Sequence, residues 1–205
     1  MDVLRLEDAL RIAKNVKEFV DFIEAGTPLI KSNGIGCVKI LKDEFPDKKI
    51  VADMKTMDTG YLEVEMAARA GADIVSILGV APNETITAAI SAANDYGIEI
   101  MVDMIGVRDL EERLKVINEL RPEYILLHTG IDQQKHSIDL TDKFRKVHNL
   151  IKSKKAIAGG LTPEKIKMLK GLQIDVVIVG SYITKASDPA KAALEVKKVI
   201  QWLTQ

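Results

Sequence analysis

The sequence predicts an α/β fold, a (β/α)8 TIM barrel of parallel strands whose first strand is short or truncated. Two regular patterns support this prediction. Short runs of apolar, mostly β-branched residues alternate with longer segments in which apolar residues recur every three or four positions. The runs are apolar at odd and even positions alike, which is typical of parallel strands covered on both faces. An open, doubly wound sheet is the alternative architecture that this alternation allows.

Seven apolar runs are predicted to be strands. In chain order they are residues 19–23, 50–54, 74–78, 98–102, 124–127, 155–158 and 176–179. A closed eight-stranded barrel needs one more strand before the helical pattern around residues 6–16, and only residues 1–4 are available for it. Either the first strand is unusually short, or its customary N-terminal residues are absent.

Helical patterns lie between the strands, at residues 62–70, 83–96, 110–120 and 190–203. Gly71 and Gly97 come shortly before the next strands, and Thr162-Pro163 opens a helix with a capping hydroxyl and a proline in the first turn. No linker or low-complexity run interrupts this order. Residues 1–205 are therefore predicted to form one barrel domain.

Composition excludes several classes of partner. There are 29 Lys and Arg residues against 30 Asp and Glu residues, so no strong field for nucleic acid or an anionic membrane is expected. Cys37 is the one cysteine, and it can form neither an intrachain disulfide nor a thiolate metal site alone. Charged residues follow Met1 at once, and no apolar run reaches the ~18 residues that a membrane span requires. We expect a cytoplasmic protein.

Polar residues and glycines stand where the predicted strands end. In a parallel barrel, active-site groups lie at the carboxyl ends of the strands and in the loops that follow. Buried polar side chains are costly unless they are paired, so those at the ends of apolar strands require an explanation. They are Glu24, Asp53, Lys55, Asp103 and His128, followed by the pairs Gly159-Gly160 and Gly180-Ser181.

The densest group of these residues is Asp53, Lys55 and Asp58. Asp53 and Lys55 point the same way on a regular strand, because side chains alternate with a period of two. Glu24 and Asp53, from adjacent strands, could hold a Mg²⁺ ion that takes its other ligands from water and substrate oxygens. The alternatives are a solvated Asp–Lys pair at a loop edge and, for Glu24, a solvated loop acid.

His128 and the glycine pairs complete the candidate site. Histidine is suited to proton transfer near neutrality, although one at a strand end can also serve packing or hydrogen bonding alone. Glycines after the last two strands let backbone N–H groups approach an anion closely. Either pair could merely permit a tight turn, but two consecutive pairs in register favour a phosphate site.

These residues belong to longer segments that resemble the orotidine monophosphate decarboxylase superfamily, and within it the hexulose-phosphate synthases. The segments are IEAGTPLIKSNG at 23–34, IVADMKTMDTG at 50–60, HTGIDQQ at 128–134, AIAGGL at 156–161 and VIVGSYIT at 177–184. The nucleotide decarboxylases have an Ile-Pro-Asn-like segment where Thr59-Gly60 follows Asp58, which disfavours a pyrimidine nucleotide. The related keto-gulonate-phosphate decarboxylases tend to have Glu, Arg and Thr where Asp103, Ile131 and Ala158 stand.

The resemblance implies roles for the candidate residues. Glu24 and Asp53 would ligate Mg²⁺, Lys55 would lie beside the metal-bound oxygens, and Asp58 would reach into the partner's site of a homodimer with shared active sites. His128 would move protons near Asp103, and Asp2 would join this network. The substrate phosphate would rest on Gly159, Gly160, Gly180 and Ser181. Other members carry Arg at the position of Ser181, which implies a weaker or differently built phosphate grip.

The activity that the resemblance implies is a reversible, magnesium-dependent aldol addition of formaldehyde to ribulose 5-phosphate, giving 3-hexulose 6-phosphate. Two alternatives stay open. One is decarboxylation of 3-keto-L-gulonate 6-phosphate through the same kind of enediolate. The other is a non-catalytic barrel that binds a phosphosugar.

Overall fold

The computed structural model describes residues 1–134 and 140–203. These residues form seven parallel strands that lie side by side in chain order in one curled sheet of the (β/α)8 type. The strands are β1 (Phe22–Ala25), β2 (Lys49–Thr56), β3 (Ile74–Leu78), β4 (Glu99–Asp103), β5 (Tyr124–His128), β6 (Lys154–Ala158) and β7 (Val176–Ile178).

Helices follow the strands as the repeat predicts. They are α1 (Leu6–Val16), α2 (Thr27–Asn33), α3 (Gly36–Glu44), α4 (Gly60–Arg69), α5 (Asn83–Tyr96), α6 (Leu110–Leu120), α7 (Leu140–Val147), α8 (Pro163–Lys167), α9 (Ser181–Thr184) and α10 (Pro189–Leu203). Short 3-10 turns lie at Ile131–Gln133 and His148–Leu150. No helix of the described residues is long and apolar enough to cross a membrane.

The two faces of the sheet have different partners. The outward side chains, such as Ile50, Val75 and Ile100, pack with the helices in the main hydrophobic core. The inward side chains form a second apolar layer inside the curl of the sheet, made of Val51, Ile74, Met101, Tyr124, Leu126, Ala156 and Ala158. This alternation decides which residues of each strand can reach the interior.

The start of the chain departs from a complete barrel. Residues 1–4 form no strand, and the α-amino group of Met1 donates to the carbonyl oxygen of Glu24 at 2.8 Å. The carbonyl oxygen of Leu4 accepts hydrogen bonds from the side chains of Ser32 and Asn33 at 2.7 and 2.8 Å. The N-terminal segment is thus held beside the carboxyl end of β1.

The first strand lies later than the sequence predicts. The apolar pair Phe19 and Val20 belongs to a turn after α1, where the N–H of Phe19 bonds to the carbonyl oxygen of Val16 at 2.8 Å. Both side chains still pack against the main core. The prediction of a strand from residue 19 is therefore wrong by three residues, because these apolar side chains reach the core from a turn.

Charged side chains gather at the amino-terminal mouth of the sheet. Glu99 of β4 forms ion pairs with Lys49 of β2 and Lys154 of β6, the latter at 3.3 Å. The hydroxyl of Tyr124 lies 3.4 Å from both carboxylate oxygens of Glu99. This network closes the end of the interior that lies opposite the candidate site.

Candidate active site

A polar layer lies directly above the apolar interior, at the carboxyl ends of the strands. Each member follows an inward-facing apolar residue by two positions, so it faces the same way. From β1 to β5 these inward residues are Glu24, Asp53, Ser76, Asp103 and His128. Five neighbouring strands therefore direct polar side chains into one mouth of the sheet.

Three carboxylates gather beside β1 and β2. Asp2, Glu24 and Asp53 each place an oxygen within 4.8 Å of the others. Asp2 is exposed, the Glu24 side chain is 24% exposed and Asp53 is buried. A Cβ atom on Gly26 would lie 2.3 Å from Oδ1 of Asp2, so glycine at this position permits the N-terminal segment to approach the site.

Asp53 is the most heavily bonded of these acids. The Lys55 ammonium lies 2.7 Å from its Oδ1 atom and 2.6 Å from its Oδ2 atom. The hydroxyl of Ser76 donates to Oδ1 at 2.8 Å, and the hydroxyl of Thr27 lies 2.8 Å from Oδ2. The backbone N–H of Thr27 also contacts Oδ2 at 3.3 Å. These bonds fix the orientation of the carboxylate.

The backbone around Lys55 is irregular. Val51 and Ala52 pair with Ile74 and Val75 in sequence, but the next pair joins Thr56 to Ile77, so β2 holds two residues more than β3 in this interval. Lys55 has a φ of 50°, in the left-handed region that costs a non-glycine residue about 1–2 kcal/mol. Asp53 and Lys55 do come together, but on a bulge and not on the regular strand that the sequence predicts.

Asp103 and His128 form a second pair on β4 and β5. Nδ1 of His128 lies 2.8 Å from Oδ2 of Asp103, and the N–H of Ile105 donates to Oδ1 at 2.9 Å. The Lys55 ammonium lies 3.6 Å from Asp103 Oδ2. Because Asp103 occupies Nδ1 of the imidazole, Nε2 is the nitrogen left for a substrate.

Burial and neighbouring charges shift the ionisation of the acid cluster. Burial is the largest influence on the Glu24 carboxyl and raises its pKa. The charges of the Met1 α-amino group and Lys55 lower this pKa, those of Asp53 and Asp2 raise it, and the net result is a raised pKa. Burial would also raise the pKa of Asp53, but the Lys55 ammonium and the hydrogen bonds hold it below its usual value. Burial would lower the pKa of Lys55, yet the surrounding carboxylates raise it, so this lysine stays protonated.

The glycine pairs lie in the loops after β6 and β7, on the other side of the mouth. Gly159 has a φ of 120°, and a Cβ atom there would lie 2.4 Å from the carbonyl oxygen of Thr129. Gly160 also has a positive φ, of 60°. Among the described residues, no backbone carbonyl accepts the N–H groups of Gly159, Gly160 and Gly180. They can therefore donate to an anion such as a phosphate.

Two predicted site residues are exposed and stand apart from the cluster. Asp58 lies in the loop after β2, where its Oδ1 atom accepts the N–H of Thr59 at 2.8 Å. Ser181 is the first residue of α9. The structure thus brings together Asp2, Glu24, Asp53, Lys55, Asp103 and His128, and leaves Asp58 facing solvent.

Sequence reasoning missed Thr27 and Ser76. Ser76 is the polar residue of the run Ile74–Leu78, and its inward position could have been read from the alternation of that strand. Thr27 begins α2 directly after the turn at Gly26. No sequence pattern indicated that its hydroxyl would bond to Asp53, because that contact depends on how the turn folds over β2.

Comparison with known proteins adds independent findings. The model of the orotidine 5'-phosphate decarboxylase / HUMPS family matches residues 1–196. A protein of Staphylococcus haemolyticus (strain JCSC1435) named 3-hexulose-6-phosphate synthase is 42% identical over 202 residues, which cover 98% of this chain and 96% of the relative.

Solved structures agree with this match. The crystal structure of 3-hexulose-6-phosphate synthase from Salmonella typhimurium has a TM-score of 0.95 at 37% identity, and the match covers 99% of this chain and 97% of that one. The structure of KGPDC from Streptococcus mutans in complex with D-R5P has a TM-score of 0.90 at 28% identity, covering 100% and 97%.

Proposed function

We propose, from the premise that this chain belongs to the orotidine 5'-phosphate decarboxylase / HUMPS family, that it is a magnesium-dependent aldehyde-lyase. The reaction joins formaldehyde to ribulose 5-phosphate and gives 3-hexulose 6-phosphate, and it runs in reverse as a retro-aldol cleavage. The observation that carries the proposal is the convergence of the acid cluster, Lys55 and the Asp103–His128 pair at one mouth of the sheet.

The carboxylates fit a magnesium ion. Mg²⁺ prefers oxygen ligands, and Asp2, Glu24 and Asp53 offer carboxylate oxygens within 4.8 Å of one another. The raised pKa of Glu24 reflects burial and repulsion between these acids, which a divalent cation would relieve. Glu24 and Asp53 would hold the ion. When bound, it would supply Lewis-acid stabilisation of negative charge on the substrate oxygens.

The protein's own residues would move the protons. The Nε2 atom of His128 removes a proton from C1 of ribulose 5-phosphate, leaving an enediolate whose C1 attacks the carbon of formaldehyde. The new C–C bond converts the formaldehyde oxygen to an alkoxide, which takes up a proton to become a hydroxyl group. Asp103 holds the imidazole through Nδ1 and compensates its charge while it carries the proton.

Lys55 acts as a fixed positive charge. Its pKa is raised by Asp53, Asp103 and Glu24 against the opposing effect of burial, so it is protonated at neutral pH and is not a Schiff-base nucleophile. Its ammonium lies between Asp53 and Asp103, where it stabilises charge that develops on the substrate oxygen. The glycine N–H groups after β6 and β7 would bind the phosphate.

We also propose that the active enzyme is a homodimer. Met57, Tyr61, Leu62 and Met66, in the β2–α4 loop and on α4, are large apolar side chains that are 40–54% exposed. Such a patch favours burial against another surface. Asp58 follows Met57 in the same exposed loop, so a second copy that covers this loop would cover Asp58 as well. The resemblance implies that Asp58 then reaches the partner's site.

A paired assay tests the proposed activity. The purified protein with Mg²⁺ is given formaldehyde and ribulose 5-phosphate in one reaction, and 3-keto-L-gulonate 6-phosphate in another. We expect formaldehyde consumption to exceed CO₂ release at equal enzyme concentration. Faster CO₂ release would support the decarboxylase alternative. No turnover in either reaction, with phosphosugar still raising the melting temperature, would support a binding protein that is not an enzyme.

A further inference from the structure

We propose that Ser76 is a positioning residue that holds the bulge of β2 and thereby aims the Lys55 ammonium. This inference rests on the proposed function, because it deepens the role of Lys55 in that reaction. Ser76 lies on β3, is 2% exposed, and faces the interior between Ile74 below and the mouth above.

The hydroxyl of Ser76 joins the two ends of the irregular segment. It accepts the backbone N–H of Lys55 at 3.0 Å and donates its own proton to Oδ1 of Asp53 at 2.8 Å. One side chain thus binds the backbone of the residue that carries the ammonium and the carboxylate that the ammonium contacts. Because the Lys55 ammonium also contacts Oδ1 of Asp53 at 2.7 Å, each of the three residues is hydrogen-bonded to the other two.

The backbone explains why this link is needed. Along β2 the pairing with β3 is interrupted between Ala52 and Thr56, so the N–H of Lys55 has lost its ladder partner. A buried N–H without an acceptor is costly, and Ser76 supplies the acceptor from its side chain. The positive φ of Lys55 is a strained conformation for lysine, and it persists only where surrounding contacts determine it.

The substrate does not need to touch Ser76 for this role. Without the hydroxyl, the left-handed backbone at Lys55 loses the bond that fixes it, and this segment of β2 can adopt other conformations. The Lys55 ammonium would then lose its fixed position between Asp53 and Asp103. Ser76 lies on β3 and the glycine loops follow β6 and β7, so phosphate binding should change less than turnover.

The test compares Ser76→Ala and Ser76→Thr with a matched control, Asn118→Ala. Asn118 is also buried and also bonds backbone groups, donating to Leu150 O at 2.7 Å and accepting from Lys152 N at 3.1 Å, but it lies near the amino-terminal side of the sheet. Loss of either side chain should lower the melting temperature. Only Ser76→Ala should lower kcat, by about 10- to 100-fold with little change in KM, as for other groups that orient reacting residues. Ser76→Thr keeps the hydroxyl and should recover most of the rate.

A second measurement is independent of catalysis. Hydrogen exchange of the Lys55 amide should accelerate by at least about tenfold in Ser76→Ala relative to wild type and to Asn118→Ala. Unchanged protection of that amide, or a wild-type kcat in Ser76→Ala, would overturn the proposal. So would an equal loss of kcat in Asn118→Ala. If wild type itself does not consume formaldehyde, the proposed function fails, while the exchange of the Lys55 amide still decides the role of Ser76.

Discussion

The Nδ1 atom of His128 lies 2.8 Å from the Oδ2 atom of Asp103, whose side chain is fully buried beneath the mouth of the sheet. The other oxygen of Asp103 accepts the N–H of Ile105, so the carboxylate cannot turn freely. This arrangement orients the imidazole and selects the nitrogen that faces a substrate. It also accounts for a buried acid at the end of an otherwise apolar strand.

Replacement of Asp103 by Asn should impair catalysis far more than binding. The amide keeps the shape of the carboxylate but removes the charge that compensates a protonated imidazole, so we expect kcat to fall by at least about 100-fold. Steady-state kinetics with formaldehyde and ribulose 5-phosphate measure this loss. Asp175→Asn is the control, because Asp175 accepts the N–H of Lys155 at the opposite end of the sheet. A rate near wild type in Asp103→Asn would contradict the proposed role.

Glu24→Gln should stabilise the metal-free protein while weakening its binding of Mg²⁺. The pKa of Glu24 is raised, chiefly by burial, so the folded state disfavours the charged carboxylate and loses stability as pH rises through that raised pKa. At neutral pH, Gln removes this penalty, and the melting temperature without metal should rise by a few degrees.

The pH dependence checks the cause of that gain. Below the ordinary pKa of glutamate, near 4.3, wild-type Glu24 is protonated in both states, so the difference between wild type and Glu24→Gln should vanish. Calorimetry in EDTA at several pH values measures the gain in stability of Glu24→Gln. The same measurement with excess Mg²⁺ shows how much less the ion stabilises the variant than wild type. A variant that is less stable than wild type at pH 7 without metal would show that the carboxylate is not strained by its surroundings.

Glu99→Gln should weaken the fold and leave turnover unchanged. Burial would raise the pKa of Glu99, but the hydrogen bonds and charges of Lys49 and Lys154 lower it. The ionised carboxylate therefore stabilises the fold above the pKa that Glu99 has in the unfolded chain, and this stabilisation is lost as the pH falls. The two lysines are about half exposed, so we expect a loss of only about 0.5–1 kcal/mol at pH 7. Urea unfolding at pH 7 and pH 3 measures it. An equal loss at both pH values would contradict the electrostatic explanation.

Asp58 and His128 should complement each other between subunits if the homodimer shares its active sites. Asp58→Ala and His128→Ala should each be inactive as pure dimers. Co-expression forms mixed dimers in which one site has both residues intact, and statistical mixing should restore about one quarter of the wild-type rate. Formaldehyde consumption by the purified mixture measures this. No recovery, with mixed dimers demonstrated by two affinity tags, would place Asp58 outside the partner's site.

The regular elements could be predicted because their patterns are local. The helix Asn83–Tyr96, the helix Leu110–Leu120 and the strand Ile74–Leu78 have the predicted bounds, since each has a clear period and distinct ends. The strand β1 begins later than predicted because Phe19 and Val20, although apolar, reach the core from a turn. Apolarity alone does not distinguish these two ways of being buried.

The candidate site was predictable in its residues but not in its backbone. The rule that functional groups follow the carboxyl ends of parallel strands selected Glu24, Asp53, Lys55, Asp103 and His128, which the structure brings into one mouth. The bulge at Lys55 could not be foreseen, because it depends on the register between β2 and β3. The bonds of Thr27 and Ser76 to Asp53 likewise arise from tertiary placement.

In the proposed enzyme, a divalent ion held by Glu24 and Asp53 supports aldol chemistry at this mouth of the sheet. The most direct measurement is the rate of formaldehyde consumption with ribulose 5-phosphate after EDTA treatment and again after Mg²⁺ is restored. We expect EDTA to abolish the rate and Mg²⁺ to restore it in wild type, whereas Mg²⁺ should restore none of it in Asp53→Asn. A rate that is unaffected by EDTA would contradict the claim.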